Sequence, residues 1–513
     1  MTIFEAVHQH APMLTVLVPM LSAPIIMLFG NRQAAFAIAL TASTTSFLLS
    51  LQMLLLVAQG GVISYHIGGW APPLGIEYRI DAANAFVLII VSSISTVVLP
   101  YARRSIADEV AARHHTLFYA CYMLCFTGLL GVTATGDAFN VFVFLEISSL
   151  STYVLVALGA KQDRRALSAA YDYLILGTIG ATFFVIGLGM LYMATGSLNM
   201  VHIAQVLAEG ESNRTVRSAF TFIVVGMALK FAMYPLHRWL PGAYTYAPSA
   251  VSAFLAATAT KVAIYVVLRF IFSVFGIAEE FERNTVQYIM MPLAVVAMFA
   301  GSLMATFSLN AKTLLAYSSI SQIGYMLLGI TLLNSTGLTA GMVHLFNHAL
   351  TKGALFLAVG AIIYRTGSAL VPHMAGLGRQ MPWTSASIVI GGLSLIGAPA
   401  TAGFVSKWVL MQAAFEAGMW PIAVFVVLSS VIAVVYVWRL VEVLYLQPAP
   451  EGRSVSEVPM TMLVPIWALA LASIWFGIDA DFTVQASRTA AEALLAGGFG
   501  GEDATIMGTR GRP

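Results

Sequence analysis

Apolar residues in this chain collect into long runs, and polar residues collect between them. Fourteen runs stand out, near residues 12–30, 35–59, 84–102, 115–133, 138–159, 170–194, 218–239, 247–275, 286–308, 312–333, 337–365, 383–415, 420–446 and 458–478. Runs of this length cross a bilayer as helices. The pattern predicts an all-α polytopic membrane protein with about fourteen transmembrane helices. Two runs carry interruptions. The seventh breaks at Tyr234-Pro235, and the twelfth breaks at GAPATAG, residues 397–403, which includes Pro399. Proline removes a backbone donor and clashes with the preceding turn, and the freed carbonyls persist in a membrane only where protein or water covers them. The opening MTIFEAVHQHAP lacks a basic n-region, and the first run ends without a small-residue cleavage site, so it reads as a retained helix. After the last run come a short amphipathic stretch, AAEALLAGG, and a Gly-rich polar tail.

Composition agrees with the pattern. At roughly 150 residues per soluble domain, 513 residues would make three or four domains. The chain is instead 59% hydrophobic and 9% charged, against about 25% charged in soluble domains. Its mean hydropathy is +0.86. No Pro/Ser-rich linker or charge block divides it, so it reads as one membrane domain. A net charge of +2 gives no reason to expect nucleic acid. Cys121 and Cys125 sit i, i+4 in one apolar run and read as small core residues, without a disulfide, zinc or iron–sulfur pattern.

Basic residues give the orientation. Arg32, Arg103, Arg104, Arg113, Lys161, Arg164, Arg165, Arg238, Lys312, Arg365, Arg379 and Arg453 fall on one side, while Arg79, Arg214, Arg217, Arg283 and the tail arginines fall on the other. The richer side is expected to be cytoplasmic, which places both termini in the periplasm or exterior.

Candidate chemistry lies in the lysines. Of six, Lys161 is in a loop and Lys312 starts a helix, whereas Lys230, Lys261, Lys352 and Lys407 fall inside apolar runs. Arginines show the reverse pattern. Arginine cannot release its proton in a protein, but a desolvated lysine can, so a membrane interior through which protons come and go needs lysine. An ionisable group inside a membrane is a functional-site candidate, although a lysine near a helix end also has the plainer option of snorkelling to a headgroup. Glu146, in GDAFNVFVFLEISSLSTYVL, is the most central carboxylate, and an ion pair with one of the lysines is the natural expectation. Asp137, ahead of it, is a secondary candidate. In HLFNHALTKGALFLAVG, His344, His348 and Lys352 are spaced i, i+4, i+8 along one helix face, and neutral imidazole can pass a proton near pH 7. H-x-x-x-H could also ligate zinc, but the catalytic Glu of H-E-x-x-H and a third ligand are missing. Axial haem ligation needs histidines on two facing helices. Neither a metal nor another cofactor is expected. Each broken run keeps a lysine close by, Lys230 before Pro235 and Lys407 after Pro399, and paired interrupted helices point to an ion path built on inverted repeats.

These segments carry a resemblance. KFAMYPLHRWLPGAYTYAPSAVSAFLAATATK (230–261), KTLLAYSSISQIGY (312–325), HLFNHALTKGALFLAVG (344–360) and GAPATAGFVSKW (397–408) resemble the antiporter-like subunits shared by respiratory complex I and Mrp-type cation/proton antiporters. The resemblance covers roughly residues 80–440, and GDAFNVFVFLEISSLSTYVL is most similar to the Mrp D subunit. It implies two inverted five-helix repeats, at 115–275 and 286–446, between N-terminal helices (1–110) and a last helix and tail (458–513). By resemblance, Glu146 and Lys230 are a paired acid and base, Lys261 a central relay, His344 and His348 connecting histidines, and Lys407 the terminal proton-handling residue. Lys352 and His237 are secondary. Arg238, Gly242 and Tyr244 depart from the family's usual residues. The implied partners are other subunits of a membrane antiporter complex, protons, Na+ or K+, and the lipid bilayer of a bacterial inner membrane. The function expected is proton translocation within a multi-subunit Na+(K+)/H+ antiporter. The alternative is a proton-pumping subunit of a complex I-type NADH:quinone oxidoreductase or related hydrogenase, and a third class, a non-translocating scaffold, would leave the embedded charges dispensable.

Overall fold

A computed structural model of the chain describes residues 8–210, 213–277 and 279–496. Residues 1–7 and the Gly-rich tail with its arginines lie outside the described residues. Among the described residues, twelve helices are long and apolar enough to cross a membrane, and pairs of shorter helices make two further crossings. In chain order the crossings are α1 (Ala11–Phe29), α2 (Arg32–Val57), α3 (Ala82–Glu109), α4 (His115–Ala134), α5 (Ala138–Ala157) and α6 (Arg165–Thr195). Then come α7 (Arg214–Lys230 and Trp239–Tyr246), α8 (Ser249–Ala257 and Ala259–Leu268), α9 (Met291–Phe307) and α10 (Ala311–Thr331). The series ends with α11 (Ser335–Thr366), α12 (Pro382–Ile396 and Ala402–Glu416), α13 (Trp420–Val441) and α14 (Met460–Ile478).

Polar caps set the helix starts. The side chains of Asn31, Asp81, Asp137, Asn213, Asn310 and Asn334 each accept a backbone N–H from the first turn of α2, α3, α5, α7, α10 and α11. With no water in the bilayer to drive helices together, close packing does so. Gly180 of α6 and Gly226 of α7 face each other, and a Cβ on Gly226 would lie 2.6 Å from the Gly180 carbonyl. The helices sort into rings. The apolar spans of α8 and α11 are 94% buried, against 39% for those of α1, α2, α6, α9, α13 and α14. The lysine- and histidine-bearing helices α8 and α11 are therefore central, and α1, α2, α6, α9, α13 and α14 face outward to lipid.

One backbone device occurs twice. After α6, Thr195-Gly196-Ser197 turns through a left-handed glycine (φ 69°), and the following strand-like residues pair with the start of α5: Ala138 N to Leu198 O at 2.8 Å, and Met200 N to Gly136 O at 3.0 Å. After α11, Thr366-Gly367-Ser368 turns in the same way (φ 70°) and pairs with the start of α10: Ala311 N to Ala369 O and Val371 N to Leu309 O, both at 2.8 Å. Counting crossings puts the two copies on opposite sides of the membrane.

Several features were absent from the hydropathy pattern. A two-stranded antiparallel hairpin, β1 (Ile63–His66) and β2 (Glu77–Ile80), joins α2 to α3. A short helix, Met200–Glu209, follows α6. The amphipathic stretch after α14 extends over Asp481–Leu495, and its buried Ala490, Ala491 and Leu494 face the bundle, where the helix packs on α3 and α11. A third interruption divides α8 at Thr258 (φ −126°, ψ −58°).

Candidate functional site

The expected acid–base pair forms between α5 and α7. Lys230 Nζ lies 3.1 Å from Glu146 Oε1 and donates to Ser149 Oγ at 2.8 Å. Ser149 sits three residues after Glu146, so the helical period puts both on one face. The lysine side chain is 5% exposed and that of the glutamate 23%, so the pair lies at the edge of the bundle with its carboxylate towards the outside.

The structure gives a reason for the helix breaks. Lys230 is the last residue of the first half of α7. Trp239 Nε1 reaches back across the break to cap the Leu229 carbonyl at 2.8 Å. Lys407, in the second half of α12, donates to the carbonyls of Leu395 and Ile396, both at 2.9 Å, which end the first half. It also donates to Ser430 Oγ at 2.9 Å and stands 4.6 Å over the Tyr325 ring. Lys261 repeats the arrangement: its Nζ donates to the carbonyl of Ala256 at the end of the first half of α8. The ammonium groups of Lys261 and Lys407 thus each meet the negative end of a half-helix, where carbonyls lack partners of their own, whereas Lys230 is held by Glu146 and Ser149. The breaks at Pro235 and Pro399 each hold a non-glycine residue at positive φ, Ala232 at 59° and Ala400 at 62°. Backbone strain of this kind persists where the surroundings enforce it and gathers at functional sites.

In the core, His344 and His348 of α11 stack with ring centroids 6.1 Å apart and planes at 6°. His344 Nδ1 pairs with Ser406 Oγ at 2.8 Å, beside Lys407. His348 is within electrostatic range of Lys261, Lys352 and His344, and His344 within range of Lys407 and Lys261. His344 Nε2, both nitrogens of His348, Asn347 Oδ1 and His237 Nδ1 are buried without a protein hydrogen-bond partner. The candidates therefore fall into two groups, Glu146–Lys230 and Lys261–His348–His344–Lys407, with Lys352 beside His348 in the second. No hydrogen bond among the described residues joins Lys230 to Lys261 directly.

The remaining candidates take different places. Lys352 is fully buried; it donates to Leu315 O at 2.8 Å and to Ser318 Oγ. Neither Lys352 nor Lys407 snorkels to a headgroup. His237 stacks on Tyr234 at 5.0 Å inside the α7 break. Asp137 caps α5, accepting Asn140 N at 2.7 Å. Burial pushes its carboxyl up, with backbone N–H bonds opposing. Nine residues separate it from Glu146, about 13 Å of helix.

Sequence reasoning missed several buried charged residues, Lys312 and Arg269 among them. Lys312, read only as the start of a helix, is buried, and its Nζ donates to the Ala247 carbonyl at 2.6 Å because α10 begins against the α7–α8 link. Arg269, buried at the first residue of the helical segment Arg269–Phe275 that continues α8, grips Asp81 through two bonds of 2.7 and 2.8 Å and also bonds Asn84. An arginine inside an apolar run was the available signal for this second group. The serines that hold Lys230, Lys407 and His344 left no signal beyond their spacing.

Residues 135–433 match the family described as NADH:quinone oxidoreductase/Mrp antiporter, TM. The chain belongs to this family. It is 37% identical to the N subunit of the NADH-quinone oxidoreductase of Desulforudis audaxviator, over 91% of this chain and 96% of that protein. It is 28% identical to the D subunit of the Na(+)/H(+) antiporter of Alkalihalophilus pseudofirmus, over 94% of this chain and 96% of that one. Among solved structures it is similar to a chain of the Mrp complex from Dietzia sp. DQ12-45-1b, with a TM-score of 0.86 and 24% identity, covering 98% of this chain and all of that one. The likeness to the antiporter protein read from GDAFNVFVFLEISSLSTYVL is thus present, alongside a higher identity to an oxidoreductase N subunit.

Proposed function

We propose that the chain moves protons through the membrane as one subunit of a multi-subunit complex, along Glu146, Lys230, Lys261, His348, His344 and Lys407. The observation that carries this reading is the Lys230–Glu146 pair, 3.1 Å apart between two membrane-crossing helices. A lysine at a helix centre costs about 3 kcal/mol on insertion scales. A scaffold with Lys230, Lys261, Lys352 and Lys407 embedded would bear that cost several times without return. In the proposed cycle, a cation approaching the pair weakens its attraction and frees a proton from Lys230. The imidazoles of His348 and His344 hand protons between Lys261 and Lys407, and their unpartnered ring nitrogens offer attachment points for water. At Lys261 and Lys407 the half-helix carbonyls hold the ammonium while it is charged and need no carboxylate to do so.

The repeated Thr-Gly-Ser ladder supports a division into inverted repeats at 115–275 and 286–446. The arginine-rich side is proposed to be cytoplasmic in a bacterial cell membrane. Of the two kinds of complex, we favour a Na+(K+)/H+ antiporter, because the α5 segment reads as that of the Mrp D protein and relatives of that name align along almost the whole chain. The second reading, a proton-pumping subunit of a quinone-reducing complex, is favoured by the 37% identity to an oxidoreductase N subunit.

The test uses inverted vesicles carrying the full operon. On the first reading, sodium or potassium pulses collapse an imposed pH gradient, and Lys230→Ala abolishes the response. On the second, cations have no effect, and an electron donor such as NADH builds a gradient that needs Lys230. Proton movement indifferent to Lys230 under both conditions removes the proposal.

A further inference from the structure

Away from the lysine axis, a cavity of about 720 Å³ opens between the start of α2, the end of α3 and the start of α14. Arg32, Arg103 and Arg104 line it, and no acidic residue among the described ones does. Arg32 Nη2 donates to the Arg103 carbonyl at 2.9 Å, and the Arg103 guanidinium lies 5.1 Å over the Phe36 ring. Both contacts are to neutral groups, so they hold the cations in place without compensating them. Among the described residues none of the three arginines forms an ion pair.

Two helices also begin at the cavity. α2 starts at Arg32, and α14 starts beside Thr461 behind Pro459, which offers no side-chain cap to the first-turn N–H groups. Those groups and the positive ends of both helices add to the same field. Basic residues are ordinary on this side of a membrane protein. Three of them converging on one concavity, with two helix starts and no acid in its described lining, make an anion site.

Its depth indicates the anion. At 1.5 Å per residue the 28 residues of α3 span about 42 Å, against about 30 Å of hydrocarbon. The excess of about 12 Å equals about eight residues, and Arg103 and Arg104, six and five residues before the helix end, lie within a stretch of that length near headgroup level. The end of α1 is apolar and open: Phe29 and Leu28, two and three residues before Asn31 in the cavity wall, are 67% and 85% exposed. A soluble anion would make no use of that surface, whereas acyl chains would lie along it.

We propose that this cavity binds the phosphodiester headgroup of an anionic phospholipid, with its chains running down the outward face of α1 and α2. Basic pockets between membrane helices recognise such headgroups, at about 1 kcal/mol per arginine near the surface. The full chain, purified in detergent with the subunits that accompany it, is titrated with phosphatidylglycerol, phosphatidylcholine or inorganic phosphate while thermal stability and bound lipid phosphorus are followed. Phosphatidylglycerol is expected to bind and stabilise the wild type, and the other two are not. Arg103→Gln combined with Arg104→Gln should weaken phosphatidylglycerol binding about 30-fold, with proton transport retained. If that double variant does not fold, Arg32→Gln should still weaken binding about fivefold. Equal binding of phosphatidylcholine, or unchanged binding in the variants, overturns the proposal. Stabilisation by inorganic phosphate alone makes this a soluble-anion site and overturns the lipid assignment.

Discussion

Replacing Glu146 with glutamine changes one atom and one charge at the edge of the bundle. In the native protein Lys230 Nζ has two side-chain partners, Glu146 at 3.1 Å and Ser149 at 2.8 Å. Glutamine keeps the shape and one acceptor oxygen but leaves the ammonium without a counter-charge at a site where its side chain is 5% exposed. Removing one partner of a buried pair costs about 3–5 kcal/mol. The Glu146 side chain keeps 23% exposure, so the lower end applies, about 3 kcal/mol. A pair whose making and breaking gates the proton then shifts its equilibrium by roughly a hundredfold. The expected outcome is a proton flux at or below about one hundredth of wild type, with the complex still assembled because the packing of α5 on α7 is unaltered. Flux is read from a pH-sensitive dye in inverted vesicles, and assembly from co-purification of the neighbouring subunits. A glutamine variant with at least half the native flux in assembled complex would refute the reasoning, because it would make the pair a structural tie.

Two further outcomes follow from the geometry. Lys407→Ala should impair flux more than Lys352→Ala, because Lys407 bridges the two halves of α12 and lies next to the His344–Ser406 contact, and Lys352 does neither; equal tolerance of both in the same assay removes the axis as drawn. Gly403→Ala should destabilise the protein by about 2 kcal/mol or more, since a Cβ there would overlap the Ser394 carbonyl oxygen and force the halves of α12 apart. The check is the melting temperature of the detergent-solubilised protein, and an unchanged value contradicts the close approach.

The membrane crossings were legible because long apolar runs admit almost one reading in lipid, and the two breaks because proline and glycine mark them. The α8 break was not, since FLAATATK contains neither. There Thr258 bonds back to the Phe254 carbonyl at 2.6 Å and Lys261 takes the Ala256 carbonyl, local bonds that hydropathy and breaker residues do not mark. The Lys230–Glu146 pairing was inferable from chemical need, but the choice of Lys230 over the other lysines came from resemblance and not from spacing. The burial of Lys312 could not be read from its position at a helix start, because it depends on where the α7–α8 link passes. The Thr-Gly-Ser repeat is plain in the sequence once the two ladders are seen, yet three small polar residues are too common to stand out beforehand.

The central claim is that lysine is needed at position 230 because it can give up its proton. Lys230→Arg tests this most directly. Arginine keeps the positive charge and can keep the bond to Glu146, but it does not deprotonate in a protein. The measurement is proton flux in inverted vesicles, with co-purification of the partner subunits as the control for folding. The account predicts an assembled complex whose flux falls to background. Native flux from an assembled Lys230→Arg complex would contradict it and leave Glu146 and Lys230 as a fixed ion pair beside the path.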